Sequence, residues 1–215
     1  LEPRAAATIA GLLGGSLLGD RVVTGRSPFA DRVGESVASP LLTLVDDPTD
    51  HRSYGADVFD GEGLACRRNP LVVDGVLQGF LYDGATGRRV GVPSTGSAVR
   101  GISSTPSVGT QALAVSPGAG TFDDLLAGVD LGVYVQSMTG LHSGVNLVSG
   151  DVSVGVEGLM VRNGAFAEPV REVTIASTLQ RMLLDIVAVG ADVEWLPGGT
   201  GCPTIVIGDV ALSGR

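Results

Sequence analysis

The side chains best suited to metal ligation or nucleophilic attack are two histidines, His51 and His142, and two cysteines, Cys66 and Cys202. None sits in a recognisable spacing. Neither histidine lies in HExxH or HExxxH, and the cysteines form no CxxC. A metal site built from them would require the fold to bring distant segments together. Cys202, between Gly201 and Pro203, suits a small buried filler at a strand start. The carboxylate pairs Asp46/Asp47 and Asp60/Glu62 could exchange protons, but such residues more often cap turns and strand ends. The chain contains no lysine, so a phosphate-cradling P-loop is excluded. No GxSxG nucleophile motif is present. The residues alone describe a domain with no self-contained catalytic machinery.

Any such site must be carried by strands and glycine turns. With 33 glycines in 215 residues, the chain holds roughly twice the usual share. Residues 2–18 read as a helix with Pro3 in its first turn and Ala6, Ile9, Leu12 and Leu13 on one face; Gly14 and Gly15 should weaken its second half. Residues 41–45 read as a strand. Residues 71–73 and 76–81 flank Asp74-Gly75, a two-residue hairpin turn. Residues 84–111 show no period and read as a long ordered loop, the kind that usually carries function or a partner surface. Thr121 is a good N-cap for a helix over 122–128. A strand follows at 132–136, and a glycine-rich stretch at 139–158. A second hairpin, 158–162 with 165–170, turns at Asn163-Gly164. Residues 174–189 read as a helix with Leu179, Met182, Leu183, Ile186 and Val187 inward and Gly190 as its cap. Strands at 204–207 and 210–212 finish the chain. Hairpins that do not alternate with helices predict an α+β fold, with a mostly antiparallel, hairpin-rich β-sheet and about three helices.

Composition narrows the classes. The net charge of −9 argues against nucleic acid as a partner, because phosphate contacts need a basic stripe. No long uncharged apolar run predicts a membrane span. A mean hydropathy of +0.33 argues against disorder. Two cysteines suit a reducing, cytoplasmic setting. The chain starts at Leu1 with no basic n-region, so no signal peptide is expected and the start reads as a cut through a longer protein.

The run MTGLHSGVNLVSGDVSVGVEGLMVRNGAFAEPVREVTIASTLQRMLLDIVAVGADVE, from Met138, resembles the C-terminal domain of the TldD/PmbA family. That family carries N-x-x-[ST]-G-D-[FY]-S-x-G-x-x-G, then E-N-G-x-x-x-x-P-V-x-E-[VI]-T-I-A-G-N-L. The matching residues include Asn146, Ser149, Gly150, Asp151, Ser153, Gly155, Gly158, Asn163, Gly164, Pro169, Val170, Glu172, Thr174, Ile175 and Ala176. Upstream, Gly25-Arg26-Ser27, Asp46-Asp47-Pro48, Asp74-Gly75 and Ser94-Thr95-Gly96 follow the family's order. The resemblance covers nearly the whole chain and implies that 1–215 is the C-terminal domain of a protein about twice as long.

Several further expectations come from the resemblance alone. The family pairs two kinds of subunit into a zinc peptidase, once labelled a modulator of DNA gyrase. One kind, TldD-like, carries HExxxH on a helix near the start of this region and a later zinc-binding cysteine. Here that helix reads AAATIAGLLGG, and after Trp195 comes LPGGTGCPT, so the ligand role is not transferred to Cys202. The chain resembles the other, TldE/PmbA-like kind. The resemblance thus implies no catalytic or metal-binding residue in this chain and zinc in a TldD-like partner subunit. The implied partners are that subunit, the protein's own N-terminal domain and unfolded peptides. Ser94, Thr95, His142, Asn146 and Asp151, in the loops 84–111 and 139–158, are the candidates for substrate or subunit contact; for Asn146 and Asp151 the turn-fixing role is the more ordinary one. A stand-alone peptide-modifying enzyme and a non-catalytic homodimeric scaffold are the alternatives. The replacement of Gly-Asn by Ser177-Thr178 favours the former.

Overall fold

The computed structural model describes residues 1–214. The chain opens with α1 (Pro3–Ser16) and α2 (Gly19–Val23), then enters β1 (Leu44–Asp46). The first hairpin pairs β2 (Asn69–Val73) with β3 (Val76–Leu77). Next come α3 (Gly84–Val90), β4 (Ala98–Val99), β5 (Ser107–Val108), β6 (Leu113–Val115) and α4 (Phe122–Ala127). The second half holds β7 (Leu131–Thr139), α5 (Leu141–Gly144), β8 (Asp151–Arg162), β9 (Ala165–Thr178) and α6 (Leu179–Leu184). It ends with β10 (Ile186–Val189), β11 (Glu194–Trp195), β12 (Gly201–Cys202), β13 (Ile205–Ile207) and β14 (Ala211–Ser213).

Two sheets dominate. A six-stranded sheet runs β11-β12-β6-β1-β2-β3, and a four-stranded sheet runs β14-β9-β8-β7. Two-stranded pairs β10-β13 and β4-β5 complete the set. Every strand pair is antiparallel except β12 with β6. The α+β architecture with mostly antiparallel sheet expected of the sequence is the one observed, with six helices where about three were expected, because α2, α3 and α5 are short pieces of four to seven residues.

Helix α1 packs on β6, β7, β12 and α6, tying the two large sheets to one core. Its Ala5, Ala6, Ile9, Ala10 and Leu13 are buried. The helix runs to Ser16 despite Gly14 and Gly15, because tertiary packing outweighs propensity there. A Cβ at Gly14 would meet Leu113 Cδ2 at 2.9 Å, so its bare backbone allows the close approach of β6. The core continues through Leu17, Phe29, Leu44, Leu71, Leu77, Met182 and Leu183. No described helix is long and apolar enough to cross a membrane.

Both expected hairpin turns form. Asp74 and Gly75 have φ of 48° and 78°, and Asn163 and Gly164 have 49° and 75°, the double left-handed pattern of a tight hairpin. Three expectations need correction. The 84–111 segment is not a loop throughout: Asp83 and Thr86 close a capping box that starts α3, and β4-β5 form a small hairpin. The glycine-rich 139–158 segment contains α5 and the first two-thirds of β8, whose Val152, Val154 and Val156 alternate inward. The helix placed at 174–189 is only α6. Up to Thr178 the chain stays in β9, where the β-branched Val173 and Ile175 face the core with strand period. Thr178 Oγ1 then accepts the Arg181 N–H at 3.2 Å and starts the helix, and Ile186 begins a new strand.

Candidate functional site

The five candidate contact residues fall into two separate places. Ser94 and Thr95, in the loop between α3 and β4, fold back on Tyr82. Ser94 Oγ donates to the Tyr82 carbonyl at 3.0 Å, and Thr95 Oγ1 accepts the Tyr82 N–H at 2.8 Å. The Arg67 guanidinium donates to the Thr95 carbonyl at 3.0 Å and also to that of Ser94. Thr95 Oγ1 lies 2.8 Å from Ser97 Oγ, which is fully buried.

Behind this loop lies a polar cluster built on Asp46 and Asp60, two of the carboxylates the sequence offered, both in the capping role. Asp46 is closed to solvent, and its Oδ1 accepts the backbone N–H groups of Gln111 at 2.9 Å and Ala112 at 2.8 Å. Its Oδ2 has no partner. Burial pushes the Asp46 carboxyl up to about 6, against the pull of the two N–H groups. Gln111 reaches the Gly96 carbonyl at 2.9 Å and receives the Cys66 thiol at 3.6 Å. Asp60 holds the N–H groups of Glu62, Leu64 and Ala98. Asp46 and Asp60 are thus fasteners of the loops between strands. The signal available was the position of Asp46 at the end of an apolar strand, where a carboxylate needs backbone partners.

The second place is the start of β8. Asn146 Oδ1 accepts the Val148 N–H at 2.9 Å, and Asp151 Oδ2 accepts from Ser149 Oγ at 2.6 Å. The Asn146 N–H donates to the Asp151 carbonyl at 2.9 Å. These bonds close a turn around Gly150, whose φ is +88°. His142 stands exposed on α5. Among the described residues, no hydrogen bond joins this turn to Ser94 or Thr95.

The donor set does not suit zinc. Among the described residues no three His, Cys, Asp or Glu side chains converge. His51 lies on an exposed turn, far along the chain from the exposed His142. Cys202 is fully buried in β12, and burial raises its thiol to about 12. A cavity of about 620 Å³ lies between β7 and the β13–β14 segment, lined mainly by apolar side chains such as Val133, Met160, Ile175 and Met182.

The fold is a hairpin-rich α+β domain with knitted loops. The chain belongs to the PmbA/TldA metallopeptidase C-terminal domain family, which it matches over residues 1–214. It is 30% identical to the metalloprotease PmbA of Escherichia coli O157:H7, over 95% of this chain and 43% of that protein. It is equally 30% identical to a metalloprotease TldD homolog of Haemophilus influenzae, over 94% of this chain and 45% of that protein. The crystal structure of TldE from Thermococcus kodakarensis superposes with a TM-score of 0.89 at 27% identity, over 96% of this chain and 48% of that one. The chain therefore spans somewhat under half the length of the relatives it matches.

Proposed function

We propose that this chain is the C-terminal domain of a TldE/PmbA-like subunit. The subunit pairs with an HExxxH-bearing, TldD-like zinc subunit, and the two form a peptidase for unfolded peptides. One observation carries the reading: α1, the helix on which the zinc kind bears HExxxH, presents Ala5-Ala6-Ala7-Thr8-Ile9-Ala10-Gly11, with no ligand or general base among them. The near-equal identity to PmbA and TldD relatives does not separate the two kinds; the content of α1 supports the TldE/PmbA-like one. Zinc would supply Lewis-acid activation of water in the partner, and this chain would supply wall and backbone edges. An extended peptide gains main-chain hydrogen bonds from such edges without a sequence-specific pocket. The acidic balance of −9 favours basic peptides.

Native mass spectrometry of the full-length protein from its own cells tests this. The expected result is a heteromer with zinc in the partner subunit only. A metal-free homo-oligomer, or zinc bound to this subunit, would overturn it.

A further inference from the structure

We propose that the cavity between β7 and β13 is the seat of an extended strand, supplied by the polypeptide that precedes this domain in the full-length subunit. The inference rests on the reading that the domain is part of a longer chain, as its relatives are.

The argument starts from two residues. Leu1 exchanges both main-chain bonds with Ile205: its amine donates to the Ile205 carbonyl at 2.8 Å, and the Ile205 N–H donates to the Leu1 carbonyl at 3.1 Å. Mutual exchange between two single residues is the mark of antiparallel pairing. The next residue turns the other way, and the Glu2 N–H donates to the Val135 carbonyl at 3.0 Å. Adjacent residues bonding to opposite neighbours is what a strand does between two others. Leu1-Glu2 is therefore the end of a strand placed between β13 and β7.

Both flanking edges continue beyond that pair. β7 bonds to β8 along its other side, and Val135 faces away from β8, so Val133 and Leu131 face away as well. On β13 the Gly208 N–H donates to the Asp185 carbonyl at 2.8 Å, towards β10. Gly208 and Val206 thus face β10, and Ile205 and Ile207 face the cavity. The slot between these edges is lined by Leu131 to Val135 on one side and Val206 to Val210 on the other. A segment running backwards from Leu1, antiparallel to β13 and parallel to β7, would enter it directly. It would pair the free main-chain groups of Leu131, Val133 and Ile207. It would also join the four-stranded sheet to the β10-β13 pair. The lining is apolar, so the inward residues of that segment are apolar, with Met160, Ile175 and Met182 beneath them. Unpaired edges flanking an apolar slot cost both hydrogen bonds and burial, which the inserted strand would recover.

Hydrogen exchange and NMR on the full-length protein decide this. The Val133 and Ile207 N–H groups should exchange at least ~100-fold more slowly than unstructured reference amides. Cross-strand contacts should link Val133 and Ile207 to residues directly preceding Leu1. Fast exchange at both positions overturns the proposal. So does protection that appears only on adding a hexapeptide of alternating valine and threonine, because the occupant is then a peptide ligand. Absence of those cross-strand contacts, with slow exchange, overturns it too. None of these readouts depends on zinc or a partner subunit, so failure here is separate from failure of the proposed function.

Discussion

Asp46 and Ala112 are joined by a 2.8 Å hydrogen bond from the Ala112 N–H to Asp46 Oδ1, in a place closed to solvent. The bond ties β1 to the entry of β6, and it leaves Oδ2 buried without a donor. The carboxyl resolves that conflict by holding its proton more tightly when folded, at about 6 against an ordinary 3.8. The folded state then binds more protons than the unfolded one between those values, so stability falls as pH rises through that window. It is fully present below about pH 4 and levels off above the folded value. The expected loss is on the order of 3 kcal/mol. Asp46→Asn keeps an acceptor for both N–H groups and removes the titration. Urea unfolding from pH 4 to 8 should show the wild-type decline and a flatter variant curve. Parallel curves would show that Asp46 does not titrate in this range.

Cys202 and Cys66 should differ in reactivity. Burial raises the Cys202 thiol to about 12, so almost no thiolate exists at neutral pH. Cys66 is half-buried and is also raised, first by burial and then by the carboxylates of Asp60 and Asp57. Iodoacetamide at pH 8, read by mass spectrometry, should leave native Cys202 unmodified and label Cys66 slowly. Both should react fully in urea. Rapid native labelling of Cys202 would contradict its place in the core.

Gly158 sits in β8 beside Tyr134 of β7, and a Cβ there would fall on the Tyr134 carbonyl oxygen. Backbone cannot swing aside as a side chain can. Gly158→Ala should cost at least ~2 kcal/mol in urea unfolding. Gly155→Ala meets only the Thr139 hydroxyl, which can rotate, and should cost less. Equal losses would mean that the β7–β8 spacing is not fixed by Gly158.

What was legible in the sequence follows from range. The Asp74-Gly75 and Asn163-Gly164 turns are local devices, and both were readable because only a few residue types accept two successive left-handed positions. The Thr121 cap of α4 was readable for the same reason, and Thr121 Oγ1 does accept the Asp124 N–H at 3.2 Å. The 174–189 stretch misled because Leu179, Met182, Leu183, Ile186 and Val187 satisfy helical spacing, while Val173 and Ile175 satisfy strand spacing. Pairing of β9 with β8 and β14, which no local window contains, settles that choice. The Asp46–Gln111 bond joins residues 65 positions apart, so the partner of Asp46 lies outside any local window, although its place at the end of an apolar strand marks it as a cap.

His142 and Asn146 separate contact from scaffolding. His142 is exposed and Asn146 closes the turn before β8. His142→Ala should leave stability within ~0.5 kcal/mol of wild type. Asn146→Ala should lose about 1 kcal/mol, the usual worth of a side-chain bond to a turn N–H. If His142 lies on the substrate or subunit surface, its variant should lower peptide turnover by the reconstituted pair at unchanged stability. Unchanged turnover with normal assembly would remove His142 from the contact surface.

Glu172 provides the last test. Its φ is +55°, in the left-handed region that side chains with a Cβ enter at a cost. The strain has a structural source. Val156 pairs with Val173 and Gly158 with Val170, so Arg171 and Glu172 form a bulge against the single residue Glu157. The carboxylates of Glu157 and Glu172 are thereby held on an exposed part of the sheet. Glu172→Gly should relax the backbone and raise stability by up to ~1 kcal/mol. Glu172→Gln keeps the strain and removes only the charge. If the glutamate serves recognition, both variants should weaken binding of a lysine- or arginine-rich peptide to the assembled protein, measured by calorimetry at low salt. If only the glycine variant changes anything, and the change is in stability alone, the left-handed glutamate is a feature of the bulge and not of recognition.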